Sequence, residues 1–229
     1  MMIPFFNKNY ARLLFLGGLA SFGLTALQAD PNPSSATIRV ACVGDSITHG
    51  SGAGPGKAYP TQLQEMLGTK YEVKNFGVSA RTLLRKGDHP YWIEAAFKSA
   101  QDFQPNLVVI MLGTNDTKPQ NWVHQDEFYN DYKDLVKTFQ DLASKPRVFV
   151  CHPCPVPPPG NFGINEANVQ IEIPLIDKLA QELHLGVIDI HAALDGKPEL
   201  LPDHVHPNAE GARIMAETVS KEITKPEGQ

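Results

Sequence analysis

From residue 37 onward the chain alternates short, β-branched apolar runs with stretches whose apolar residues recur every three or four positions. The first pattern belongs to buried strands and the second to amphipathic helices. Strands are predicted at residues 37–43, 71–76, 107–112, 147–151 and 187–190. One helix between them carries Tyr59, Leu63, Met66 and Leu67 on its apolar face, and a second crosses Tyr91 to Phe103. A third runs between about 126 and 144, a fourth carries Leu175, Ile176, Leu179 and Leu183, and the last presents Ala212, Met215, Ala216, Val219 and Ile223. Because the strands are apolar at nearly every residue, both faces of their sheet must be covered. The expectation is an α/β protein: a three-layer α/β/α sandwich on a mainly parallel five-stranded sheet, one domain over residues 30–229. In such a sheet chemistry gathers beyond the carboxyl ends of the strands, here just after Val43, Phe76, Leu112 and Cys151.

Ahead of this region the pattern changes. Lys8 and Arg12 precede an apolar run from Leu13 to Leu27 that closes on Leu27-Gln28-Ala29, which reads as a secretory signal peptide cleaved near Ala29. Without residues 1–29 about 200 of the 229 remain, enough for one good core. The leader holds two basic and no acidic residues, so its removal takes the net charge from −5 to −7, which argues against a nucleic-acid partner. No other apolar stretch approaches the roughly 18 residues of a bilayer span, so a secreted or periplasmic protein without a stable membrane anchor is expected. With 42% hydrophobic and 20% charged residues the composition is that of a globular domain, not of a disordered or coiled-coil chain. Three cysteines are too few for a disulfide scaffold. Cys42 falls in a strand, and Cys151 and Cys154 are either core-packing thiols or, in an oxidising compartment, a disulfide.

Candidate chemistry stands at the strand ends. Gly44-Asp45-Ser46-Ile47-Thr48 puts Ser46 where the first strand ends, and a serine becomes a useful nucleophile only when a base takes its proton. Asp203-His204-Val205-His206-Pro207, just before the last helix, offers that base. Its spacing lets Asp203 accept from Nδ1 of His206 while Nε2 points toward Ser46, as a Ser-His-Asp relay requires. Asn75-Phe76-Gly77-Val78-Ser79 and Gly113-Thr114-Asn115-Asp116 follow the next two strands. They could supply oxyanion donors: the backbone amides of Ser46 and Gly77 and the side-chain amide of Asn115.

Together these four blocks resemble the SGNH, or GDSL-type, serine hydrolase family, across essentially the whole chain after the leader. The resemblance implies the flavodoxin-like fold of that family, with Ser46 as nucleophile and first oxyanion donor, Gly77 and Asn115 as further donors, His206 as base and Asp203 as the residue orienting it. Gly-Asp-Ser-Ile stands where the family has Gly-Asp-Ser-Leu, leaving the reactive atoms in place. Among its members the chain is similar to bacterial sialate or carbohydrate O-acetylesterases, which implies a glycan or small-molecule ester as substrate and no metal or cofactor. An arylesterase, thioesterase or lysophospholipase of the same superfamily is the nearest alternative, and a non-catalytic sugar-binding module the more distant one.

Other readings of these residues are weaker. Gly50 to Lys57 suggests a phosphate loop, but Ser51 and Ala58 break the Walker pattern, and Ser46 lacks the Gly-x-Ser-x-Gly of deeper lipase folds. Asn115-Asp116-Thr117 matches a glycosylation acceptor by coincidence. His204 is the rival base, Asp45 a turn-holding acceptor, and no histidine cluster has metal spacing. Trp122 is either a sugar platform or core, and Arg81 and Lys86 are either substrate contacts or solvated charges. Substrate choice is expected from the loops at residues 50–58, 78–90, 117–125 and 153–166.

Overall fold

Successive strand residues point to opposite faces of a sheet, and a computed structural model, which describes residues 36–226, has helices waiting on both. The predicted leader over residues 1–29 lies outside the described residues. Five strands, β1 (Ile38–Gly44), β2 (Tyr71–Gly77), β3 (Leu107–Met111), β4 (Arg147–Cys151) and β5 (Gly186–Ile188), form one sheet in the order β2-β1-β3-β4-β5. Every pairing in it is parallel. The chain moves outward from β1 to β2 and then to the other side for β3, so the sheet reverses direction between β1 and β3. A crevice beyond the carboxyl ends of those two strands is the position where α/β sheets bind ligands.

Odd and even positions of the strands feed separate cores. Val40, Cys42, Val109 and Met111 face α2 (Tyr59–Leu67) and α8 (Ala209–Ile223), meeting Tyr59, Leu63, Met215 and Val219. Ala41, Val43, Val108 and Ile110 face α5 (Gln125–Gln140) and α6 (Glu166–Leu183), meeting Phe128, Leu135, Phe139, Ile176 and Leu179. Each fully buried valine, leucine, isoleucine, phenylalanine or methionine among them contributes about 1.5–3 kcal/mol relative to leaving it in water. All three cysteines are buried and unpaired; burial pushes the Cys42 thiol up to about 12.

The fold class and the five parallel strands of the sequence expectation hold, and the differences lie at element ends. Met66, expected on the apolar face of α2, is 41% exposed. The predicted helix over Tyr91 to Phe103 divides into a 3₁₀ turn, Tyr91–Ile93, and α3 (Ala95–Asp102), with Glu94 extended between them. Tertiary bonds override the helical periodicity there: Tyr91 Oη donates to the Phe76 carbonyl at 2.7 Å and Trp92 Nε1 to the Leu83 carbonyl at 2.7 Å. β5 ends two residues before Ile190, because the Asp189 side chain accepts from Ala192 N–H and so caps α7 (Ile190–Leu194). Among the described residues no helix is long and apolar enough to cross a membrane.

Candidate active site

Beyond β1 the chain turns at once into a single helical turn, α1 (Ser46–His49), whose N-cap is Asp45: its Oδ1 accepts from Ile47 N–H at 2.9 Å. This fixes Ser46 at the carboxyl edge of the sheet, 7% exposed. The other half of the pair comes from the loop that enters α8. Oδ1 of Asp203 accepts from the backbone N–H of Val205 and of His206 at 3.0 and 2.7 Å, closing a turn. That turn brings Asp203 Oδ2 to 2.7 Å from His206 Nδ1, and His206 Nε2 to 2.9 Å from Ser46 Oγ. With the proton on Nδ1, the ring donates to Asp203 and can accept from the serine hydroxyl. Partial burial raises the Asp203 carboxyl, but the three bonds from His206 and Val205 outweigh it and hold the group below the usual carboxylate range.

His204 is in the left-handed region at φ 67° and does not bond to Ser46. The loop at residues 50–58 is in contact with the relay: a Cβ on Gly52, itself at φ 85°, would lie 2.8 Å from His206 Cβ.

Ser46 and His206 open on a cleft of about 240 Å³ whose walls include Ser51, Ala80, Asn115, Lys118 and Phe162. Each of the four loops expected to govern substrate choice contributes to it. A second cleft of the same volume, beside Pro155 and Lys197, and a larger one of 430 Å³ at the amino ends of the strands contain none of the relay residues.

Asn115 lies at this cleft, 3% exposed, after β3. That burial leaves no room for a glycan, so its acceptor motif is coincidental. Its Nδ2 donates to Asp45 Oδ2 and to the Arg81 carbonyl, both at 3.2 Å. Gly77 is a correction. Its N–H is given to Asn75 Oδ1 at 2.9 Å, and a Cβ there would meet His49 N at 2.3 Å, so it is wedged beneath α1 and away from the cleft. Pairing of Gly77 with Gly44 extends β2 to this residue, and the chain reaches the cleft only beyond it, at Ser79 and Ala80. Ala80 is held at φ 67°, a conformation that non-glycine residues rarely adopt. Among the described residues no acceptor meets the N–H of Ser46 or of Ala80.

Three side chains singled out in the sequence are committed elsewhere. Trp122, the last residue of the short helix α4 (Pro119–Trp122), is 7% exposed and packs edge-on against Phe128 at 5.9 Å, so it belongs to the core. Arg81 pairs with Glu94 at 2.7 Å, and Lys86 pairs with Glu127. Phe162, Lys118 and Ala80 were not predicted. A lone aromatic between Gly160 and Gly163 in a proline-rich loop was the available signal for Phe162.

Beneath the cleft lie buried carboxyls that the relay does not use. Burial pushes Asp45 up to about 6 and Asp116 up to about 7, although Asp116 accepts from Leu83 N–H at 3.0 Å and Leu84 N–H at 2.7 Å. Burial also raises Glu172, with no hydrogen-bond partner for either oxygen. Folded Asp116 therefore keeps a proton to about pH 7 that the unfolded chain loses near ~3.9. Its stabilisation is complete at low pH and is lost as pH rises through about 7. Asp116→Asn lacks this titration, so urea unfolding is expected to show a smaller loss of stability from about pH 5 to about pH 8 than the wild type, by on the order of 1 kcal/mol. Equal losses in the two proteins would contradict the assignment. At any pH the variant is also expected to be weaker by about 1–3 kcal/mol, since one buried N–H loses its acceptor.

Sheet order and the Ser46–His206–Asp203 relay at its carboxyl edge define the class: a parallel α/β sandwich with its candidate site at the switch between β1 and β3. The chain belongs to the GDSL-like lipase/acylhydrolase family, whose model matches residues 42–214. It is 41% identical over 218 residues to an acetylxylan esterase of Xylanibacter ruminicola; the match takes in 86% of this chain and 45% of that protein, so the chain spans about half the length of that relative. A carbohydrate acetylesterase from Sinorhizobium meliloti superposes with a TM-score of 0.67 at 23% identity, over 82% of this chain and 98% of that one. The native aryl esterase of M. smegmatis gives 0.64 at 22%, over 82% and 98%. At these identities the likeness is one of fold.

Proposed function

We propose that the protein is an exported serine esterase that removes O-acetyl groups from carbohydrates. The observation that carries the reading is the continuous relay Asp203, His206, Ser46, with links of 2.7 and 2.9 Å, opening on a cleft. His206 Nε2 takes the proton of Ser46 Oγ as that oxygen attacks the ester carbonyl carbon. The resulting oxyanion is held by the backbone amides of Ser46 and Ala80 and by Asn115 Nδ2, which exchanges one of its long 3.2 Å bonds for the stronger acceptor. Collapse expels the sugar oxygen, which recovers the proton from His206 and leaves acetyl-Ser46. Water, deprotonated by the same Nε2, then attacks the acetyl carbon, and acetate departs as Ser46 takes the proton back.

The acetyl and carbohydrate parts of this reading draw support from the named activity of the Xylanibacter ruminicola relative and from the size of the cleft. At about 240 Å³ it is smaller than the ~300–1,000 Å³ of most small-molecule sites, which suits a short acyl group better than a long chain. O-acetylated sialic acids belong to the same substrate chemistry. Export is supported by the leader pattern of Lys8, Arg12 and Leu13 to Leu27, and places the enzyme in the periplasm or outside the cell. A comparison of p-nitrophenyl acetate with the octanoate tests acyl length. The acetate is expected to have the higher kcat/KM, by about tenfold or more; a clear preference for octanoate would replace the acetylesterase by a lipase-like or thioesterase-like enzyme.

A further inference from the structure

Opposite Ser46, the cleft wall carries a phenylalanine and a lysine that neither the relay nor the fold accounts for. Phe162 is 57% exposed, and its backbone is in the left-handed region at φ 54°, where bulky residues are outliers. The loop is tied down to keep it there. Phe162 N–H donates to Asn161 Oδ1 at 2.8 Å, Ile164 N–H donates to the Asn161 carbonyl at 2.8 Å, and Asn161 Nδ2 donates to the carbonyl of Asp203 at 3.0 Å. The residue that orients the base therefore also anchors the phenylalanine, whose ring centroid lies 5.7 Å from that of His206, tilted by 57°. Strain and exposure of this kind persist only where the surroundings over-determine them, and they concentrate at ligand sites.

Lys118 closes the same wall. Its stem lies beside the Phe162 loop, with Cγ 3.8 Å from where a Cβ on Gly163 would stand. The cationic residues that the sequence suggested for substrate binding, Arg81 and Lys86, already hold Glu94 and Glu127. Among the described residues no carboxylate forms an ion pair with Lys118. Asp88 and Asp45 feel its charge, but Asp88 is bonded to Asn121 and Gln120, and Asp45 to Ile47 and Asn115. Lys118, a lysine that no carboxylate pairs among the described residues, thus borders the cleft onto which Ser46 opens.

We propose that Phe162 and Lys118 form a substrate subsite that selects acetylated sugars bearing a carboxylate, with the pyranose face against the Phe162 ring and the carboxylate at Lys118 Nζ. The inference rests on the acetyl-carbohydrate reading above. Sugar C–H groups meet an aromatic face with both dispersion and quadrupole attraction, and a lysine recognises a carboxylate as a point charge. Two sources supply this chemistry: a uronic acid borne on an acetylated polysaccharide, or an O-acetylated sialic acid.

Acetate release is measured for acetylated xylo-oligosaccharides bearing glucuronate, for the same oligosaccharides after reduction of the carboxyl to an alcohol, for O-acetyl sialic acid, and for ethyl acetate, which has no ring. The wild type is expected to favour the glucuronate or the sialate substrate over the reduced one by about tenfold in kcat/KM, and the favoured arm identifies the source. In Lys118→Met that ratio is expected to collapse toward one, chiefly through KM for the acidic substrate. In Phe162→Ala the preference for sugar esters over ethyl acetate is expected to fall about tenfold. Thermal unfolding of both variants controls for folding. Equal wild-type rates on acidic and reduced sugars, or variants that leave both ratios as in the wild type, would overturn the subsite. If the wild type hydrolyses ethyl acetate but releases no acetate from any sugar, the carbohydrate reading itself fails.

Discussion

Ser46→Ala is expected to lower turnover of p-nitrophenyl acetate by on the order of 10⁶, and His206→Ala by the same order. The two belong to one device. Without the hydroxyl the imidazole has no proton to take, and without the imidazole the hydroxyl keeps its proton, so the double variant is expected to be no worse than either single one. Asp203→Asn occupies a lower rung. It retains a group beside His206 Nδ1 but not the negative charge that accepts at 2.7 Å, so the ring loses its preferred tautomer and turnover falls by about 10⁴. Unfolding measurements separate this from collapse of the loop, because Asp203 Oδ1 also holds Val205 and His206 N–H. Additive losses in Ser46→Ala, His206→Ala and their combination would contradict a shared proton relay.

Asn115→Ala is expected to reduce kcat by about 10² to 10³ with little change in KM. The asymmetry follows from when the donor is used. In the resting site the amide is occupied by Asp45 and the Arg81 carbonyl at 3.2 Å, and the oxyanion that draws on it develops only in the transition state, not in the bound ester. Asp45 has the further part of holding the amide toward the nucleophile, which explains why a carboxyl that burial pushes up to about 6 is kept directly before Ser46. If kcat for Asn115→Ala stayed within about threefold of the wild type, the oxyanion would have to be held by the backbone amides alone.

What could be read from the sequence divides along physical lines. Strand runs such as Leu107 to Met111 were legible because burial on both faces demands apolar residues at every position. Asp203 and His206 were legible because the contact is local: three residues suffice for the turn that joins them. The oxyanion backbone was not. Gly77 looked suited to close approach, and its small size is indeed required, but by α1 packing on it and not by a substrate. Ala80 carries no mark of its left-handed backbone, since that conformation is imposed by the surroundings of the 78–82 loop and not by alanine. Trp122 lies in the core and Phe162 at the cleft, a division that their residue types do not disclose. Whether an aromatic in a loop faces the core or the cleft depends on which distant carbonyl anchors its neighbours, and Asn161 reaches Asp203 across 42 positions of sequence.

The most direct measurement is acetate release from acetylated xylo-oligosaccharides by the wild type and by Ser46→Ala at matched concentration. The wild type is expected to release acetate catalytically, and the variant to stay at the level of the uncatalysed reaction. Acetate release by Ser46→Ala at the wild-type rate would remove Ser46 from the reaction, and no release by either protein, with p-nitrophenyl acetate still hydrolysed, would remove acetylated xylan as the substrate.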